Sequence, residues 1–169
     1  GLGNAMTFPM GVGATTALYP LRPTPDTVNE VMILVKPSIL FAVPTIYAAM
    51  IANLKKNSIK YQNLRRCVSA GEALPSQIGT DWKNITGVDI LDGVGSTEML
   101  HIFLSNKPND ITYGTSGSAV PGYDLKLVDE YGEEVAIGEI GELLVKGQSS
   151  AMCYWNKLRK SRNTFEGKW

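Results

Sequence analysis

Along residues 24–54 the apolar positions keep a helical step. Thr24-Pro25-Asp26 supplies a helix start: a capping hydroxyl, a proline at the first helical position and an acid near the positive end of the helix dipole. Val28, Val31, Met32 and Val35 recur at three- and four-residue intervals and predict one apolar face, which Pro37 ends. Ile39–Val43 is a short unbroken apolar run, the pattern of a strand covered on both faces. Pro44 opens a second helix with Ile46, Tyr47, Met50, Ile51 and Leu54 on its apolar side. The alternation then continues. Cys67–Ala70 predicts a strand ending at Gly71, Pro75 to about Lys83 a helix, and Val88–Leu91 a strand running into a glycine-rich turn. Short apolar strands alternating with helices predict a mostly parallel sheet with helices on its faces.

After about Asn109 the period changes to two. Tyr123–Val128 puts Leu125 and Leu127 on one face with Lys126 between them. Asp129–Gly132 reads as a turn, Glu142–Lys146 as a further strand, and Asn156–Thr164 as a polar, basic helix. The expected architecture is α/β. Residues 1–109 form a partial, mostly parallel sheet with flanking helices, and residues 110–169 a small antiparallel, β-barrel-like subdomain.

Composition supports a folded chain: 44% of the 169 residues are hydrophobic and 19% charged. Sixteen Lys and Arg balance sixteen Asp and Glu, so binding to nucleic acid by bulk charge is excluded. The charges are unevenly spread. Residues 1–50 hold only Arg22, Asp26, Glu30 and Lys36, whereas residues 120–169 hold fifteen. The front therefore reads as interior and the back as a solvated layer. Gly1–Leu21 and Pro37–Leu54 are uncharged over the length of a membrane span, but glycines, prolines and polar residues interrupt both. Buried α/β core, with no membrane span, is the expectation. Cys67 and Cys153 lie far apart, with no CxxC and one histidine, which excludes a Cys/His zinc site and a disulfide scaffold.

In parallel sheets ligands gather beyond the C-terminal ends of the strands. That rule points to the loops Ser69–Leu74, reading SAGEAL, and Asp92–Glu98, reading DGVGSTE. In the second, Gly93 and Gly95 allow a sharp turn and close backbone approach to a ligand. Ser96 and Thr97 offer hydroxyls, and Glu98 a carboxylate able to hold Mg²⁺ beside phosphates. The same residues also suit a plain glycine turn with a capping hydroxyl and acid. A dinucleotide fingerprint fails, because Glu98 takes the third glycine's place. GxxxxGK[ST], GxSxG and HExxH do not occur. His101, between Leu100 and Ile102, is either a packed core group or a pocket wall. Lys157, Arg159, Lys160 and Arg162 read as a solvated helix face, and Cys67 as an inert apolar residue.

DGVGSTEM resembles the Gly-x-Gly-x-Thr-Glu motif of the adenylate-forming enzymes, the acyl-CoA synthetase and luciferase superfamily. SAGEAL occupies the place of that family's adenine-binding segment, and GEIGELLVKG is similar to its Gly-Glu-Leu-x-x-x-Gly motif. AMCYWNKLRKSRNTFEGKW resembles the segment leading to its Thr-Gly-Asp motif. GLGNAMTFPM, RPTPDTV, FAVPTIYAAM and GSTEMLHIFLSN are similar to the benzoate-CoA ligase branch.

The resemblance implies a cytoplasmic, ATP-dependent ligase for aromatic acids, with ATP, Mg²⁺ and coenzyme A. An acyl-adenylate forms first, and the thiol then displaces AMP. Gly71, Glu72 and Ala73 are implied on one side of the adenine, and Asp92, Gly93 and Val94 on the other. Gly95 and Ser96 complete the nucleotide loop, Thr97 bonds the α-phosphate, and Glu98 holds the metal. Ala70, Gly93, Gly95, Leu100, His101 and Ile102 are implied around the aromatic carboxylate.

The family's phosphate-gripping loop and its mobile C-terminal domain, with the catalytic lysine, have no counterpart in these 169 residues. Cys153 stands where the family commonly has glycine. The chain is therefore expected to be an internal portion of a larger N-terminal domain, inactive alone. Two other readings remain: an adenylate-former for medium-chain or amino acids, and a non-catalytic binding module with this fold.

Overall fold

A computed structural model describes residues 2–57 and 59–169. The chain forms two compact units, Gly1–Val94 with Ser105–Ser118, and Gly95–Leu104 with Ala119–Trp169.

In the first unit a π-helical turn, Gly3–Thr7, leads into α1 (Phe8–Gly11). Helix α2 (Pro25–Val35) starts as its sequence predicts. Thr24 caps it, Pro25 follows, and Thr24 and Thr27 exchange side-chain and backbone hydrogen bonds in a reciprocal box. Its buried face differs from the expected one. Met32 is buried, but Asn29 is buried too, and Val35 is exposed. Asn29 tolerates burial because its amide donates to Asn53 Oδ1 at 2.8 Å and its carbonyl oxygen accepts from the Tyr61 hydroxyl.

Strand β1 (Ile39–Ala42) stops one residue before the expected end. The Val43 carbonyl instead accepts from Ile46 and Tyr47, opening α3 (Pro44–Asn57). β2 (Arg66–Ser69) pairs parallel with β1, placing Leu40 opposite Cys67. α4 (Ser76–Thr86) then leads to β3 (Ile90–Gly95), parallel to β2 with Ser69 opposite Asp92. This parallel β-α-β-α-β run is the α/β architecture that the alternating pattern predicts.

The core lies between the sheet and helices α3 and α4. Tyr47, Met50 and Leu54 of α3 meet Trp82 of α4 over Cys67 and Ile90 of the strands. The Tyr47 and Trp82 rings meet edge to face at 4.9 Å, a favoured aromatic geometry. The Tyr47 hydroxyl lies 3.0 Å from the Val68 carbonyl and 3.2 Å from that of Leu40, so it bridges two strands. Burial pushes the Cys67 thiol up to about 12, which keeps it protonated and inert, as its strand position predicts.

The apolar front is not interior in this chain. Met10, Val12, Leu18 and Leu21 are largely exposed, as are Leu34 of α2 and Phe41 of β1. Gly1, where that uncharged stretch begins, lies outside the described residues. Low charge marks surface able to be buried, and among the described residues nothing covers it. No helix among the described residues is long and apolar enough to cross a membrane.

In the second unit β4 (Ile102–Ser105) is joined to the chain after β5 (Ser118–Ala119) by a hydrogen bond from Val120 N–H to the Phe103 carbonyl at 2.9 Å. β6 (Tyr123–Val128) and β7 (Glu142–Gly147) form an antiparallel pair, with Leu125 opposite Val145. The turn at Asp129 is held by its carboxylate, which accepts from the Tyr131 and Glu133 N–H groups. Helix α5 (Leu158–Thr164) is shorter by two residues than its polar, basic pattern predicts.

Trp82 is fully buried, so its loss leaves a large cavity in the first unit. Trp82→Ala in the full-length protein should cost about 3–5 kcal/mol. Denaturant unfolding should show this as a lowered midpoint; an unchanged midpoint would contradict the packing described.

Candidate functional site

The two loops singled out at strand ends follow β2 and occupy the end of β3. In the first unit, β2 ends at Ser69, one residue before the expected Ala70, and Gly71 takes a backbone φ of +96°, a conformation side-chain-bearing residues rarely adopt. That bend carries Glu72 and Ala73 outward, exposed, before Leu74 turns back into the core. The Leu74 N–H lies 3.5 Å from Asp92 Oδ2, so SAGEAL and the start of DGVGSTE are neighbours. Asp92 is buried, and its Oδ1 has no hydrogen-bond partner by geometry. Burial pushes its carboxyl above the usual range, against the Leu74 N–H first, then the Gly93 N–H and the Ser116 hydroxyl.

DGVG is not the sharp turn that its glycines suggest. Asp92, Gly93, Val94 and Gly95 are all strand, part of β3. The parallel pairing of Ser69 with Asp92, and a bond from the Asn106 N–H to the Asp92 carbonyl at 2.9 Å, hold the segment extended. Gly95 serves close approach instead. A Cβ there would lie 2.6 Å from the His101 carbonyl oxygen, which no side chain permits.

The turn comes one step later, in the second unit, over Ser96–Leu100. Ser96 Oγ accepts from the Met99 N–H at 3.2 Å, and the Thr97 carbonyl accepts from the Leu100 N–H at 3.2 Å. Thr97 is exposed. Leu100 sits at φ +71°, a strained conformation for a leucine, and its side chain is 53% exposed. Such a cost is retained where surrounding bonds over-determine the backbone. Here Ser149 Oγ donates to the Met99 carbonyl at 2.7 Å, and the Ala151 N–H donates to the Glu98 carbonyl at 2.7 Å.

Glu98 is half-buried, and its Oε1 accepts from the Tyr154 hydroxyl at 2.6 Å. That bond, foremost among several, holds the Glu98 carboxyl below its usual range, and the same bond pushes the Tyr154 phenol up. The carboxylate is therefore fully ionised at neutral pH. His101 is half-buried. Its Nδ1 is 2.7 Å from the Ile102 carbonyl, and its Nε2 is 3.0 Å from the Tyr123 hydroxyl, which also meets Ser149 Oγ at 2.6 Å. The Tyr123 ring fits because residue 147 is glycine: a Cβ there would fall 2.4 Å from the ring. Ile102 begins β4, half-buried.

The first unit thus brings Ala70, Gly71, Glu72 and Ala73 beside Asp92, Gly93 and Val94. The second brings Ser96, Thr97, Glu98 and Leu100 into one turn, with Gly95 before it at the end of β3, and His101 after it leading into Ile102 at the start of β4. Tyr123, Ser149 and Tyr154 were not among the expected site residues. They reach the turn from 22 to 56 positions away along the chain, and no local spacing signals such contacts. An open cleft of about 650 Å³ also lies in the second unit, against Asp124, Lys146, Met152, Phe165 and Trp169, and no expected site residue lines it.

Comparison with known proteins agrees with the motif order. Over its whole length the chain is 56% identical to the 4-hydroxybenzoate-CoA/benzoate-CoA ligase of Rhodopseudomonas palustris, of which it covers 32%. It superposes on a crystal structure of a benzoate CoA ligase from Burkholderia xenovorans LB400 with a TM-score of 0.96 and 48% identity, covering all of this chain and 35% of that one. It also matches the anthranilate CoA ligase AuaEII in complex with anthranoyl-AMP, at a TM-score of 0.96 and 45% identity, covering all of this chain and 33% of that one. The chain thus spans about a third of the length of these relatives. The model of the family described as AMP-binding enzyme matches residues 1–155, and the chain belongs to that family.

Proposed function

We propose that the full-length protein containing this chain is an ATP-dependent aryl-acid CoA ligase of the benzoate type. The observation that carries the reading is the Ser96–Ile102 turn. An ionised carboxylate, an exposed hydroxyl and a histidine-bearing apolar segment are held there on one strained backbone, in a chain 56% identical to a ligase for benzoate and 4-hydroxybenzoate.

The proposed reaction has two steps. A carboxylate is a poor acylating agent, so the acid first attacks the α-phosphate of ATP, and pyrophosphate leaves. The coenzyme A thiol then attacks the carbonyl of the mixed anhydride, and AMP leaves with the bonding pair. The Thr97 hydroxyl donates to the α-phosphate as negative charge develops there. Gly71, Glu72 and Ala73 line one side of the adenine, and Asp92, Gly93 and Val94 the other. In the second unit, Leu100, His101 and Ile102 supply apolar wall for the flat acid, and Gly95 lets its own strand close on the His101 backbone beside them.

Magnesium fits the donor set. No cluster of three His, Cys, Asp or Glu occurs among the described residues. One ionised carboxylate, Glu98, is what Mg²⁺ requires when phosphate oxygens and water supply its other ligands. When bound, the ion neutralises phosphate charge during displacement.

The test is acid-dependent pyrophosphate release by the full-length protein, with a panel of aromatic and aliphatic acids. Benzoate-type acids should be turned over best; preference for aliphatic or amino acids, or no acid-dependent release by folded protein, would overturn the reading. His101→Ala should alter the ranking of ring-substituted acids by about 10-fold, since a misfitted apolar contact is worth ~1–3 kcal/mol. Gly95→Ala should abolish turnover, because the added methyl cannot fit against the His101 carbonyl; near-normal turnover would contradict the close backbone approach at Gly95.

A further inference from the structure

The segment after β7 closes on the Ser96–Leu100 turn at three points: Ser149 on the Met99 carbonyl, Ala151 on the Glu98 carbonyl, and Tyr154 on the Glu98 side chain. Two of these bonds hold backbone. The third holds the carboxylate, and the structure around Tyr154 is arranged to aim its hydroxyl.

Its backbone N–H donates to Ser161 Oγ of α5 at 2.9 Å. Its ring packs against Phe165 with centroids 5.3 Å apart. The Lys160 ammonium lies 4.5 Å above the ring centroid on the same helix. A cation is attracted to the face of the ring and so helps to hold it in place. Backbone, ring and hydroxyl are thus all engaged, and the hydroxyl meets Oε1 at 2.6 Å. A glutamate without such a partner samples several rotamers and must give up that freedom to bind a ligand.

We propose that Tyr154 is a positioning residue of the adenylation step: its hydroxyl occupies Glu98 Oε1, fixes the rotamer, and leaves Oε2 as the oxygen offered to the metal–ATP complex. The inference rests on the reading of Glu98 as the metal-holding residue. It assigns single-oxygen coordination to Glu98, because the other oxygen is engaged by a phenol that cannot move without disturbing α5. Lys160, read from sequence as part of a merely solvated basic face, acquires a role in holding that phenol.

The experiment measures Mn²⁺ binding to the full-length enzyme with ATP present, by electron paramagnetic resonance, with Mn²⁺ standing in for Mg²⁺. Tyr154→Phe keeps the ring and its packing and removes only the hydroxyl. Its Mn²⁺ affinity should fall about 10-fold, as for loss of an outer-shell partner. Glu98→Gln should lower it further, and the double variant should be no weaker than Glu98→Gln alone. In turnover, kcat should fall while the KM for the acid stays unchanged. Unchanged Mn²⁺ binding in Tyr154→Phe, with Glu98→Gln impaired, would overturn the role of Tyr154 alone. Additive losses would also overturn it, since Tyr154 would then act other than through Glu98. Unchanged Mn²⁺ binding in Glu98→Gln would remove the metal-holding reading and this inference with it.

Discussion

Everything proposed for this chain depends on one turn being held in a shape it would not keep alone. Ser96–Leu100 ends in a leucine at φ +71°, a conformation that costs free energy for any residue with a β-carbon. The compensation is non-local. Ser149, Ala151 and Tyr154 each donate to it, two to carbonyl oxygens and one to a carboxylate. Gly95 and Gly147 remove the β-carbons that would keep the neighbouring backbone and ring away. The shape of this turn is therefore a property of the second unit's packing, and its own residues alone do not make it.

The same packing explains how charge is used in a chain with none in excess. Zero net charge excludes bulk attraction of a polyanion, but it leaves local placement free. Glu98 is kept ionised by a phenol donor, whereas burial works against ionisation of Asp92. Two carboxyl groups six positions apart thus have opposite tendencies. One is held charged and the other resists charge, and both tendencies come from surroundings rather than residue type.

Elements specified by neighbouring residues were legible in the sequence. Thr24-Pro25 marks the start of α2, the spacing of Tyr47, Met50, Ile51 and Leu54 gives the face of α3, and period-two alternation gives β6. What failed was decided at a distance. The glycines of DGVG suggest a turn, but β3, paired with β2 as far as Asp92, continues through them as a strand. Asn29 lies outside the apolar face expected of α2, yet Asn53 and Tyr61 satisfy it in the interior. The apolar front reads as core, and sequence alone cannot say what covers it. Family membership was legible through the motifs, while Tyr123, Ser149 and Tyr154 reach the Ser96–Ile102 segment only through tertiary contact.

The most direct test of the account is a crystal structure of the full-length protein with a non-hydrolysable benzoyl-adenylate analogue. The account predicts the phosphate analogue within hydrogen-bond distance of the Thr97 hydroxyl, the purine between residues 71–73 and 92–94, and the aromatic ring against Leu100, His101 and Ile102. An analogue bound with its ring or its phosphate away from the Ser96–Ile102 turn would contradict it.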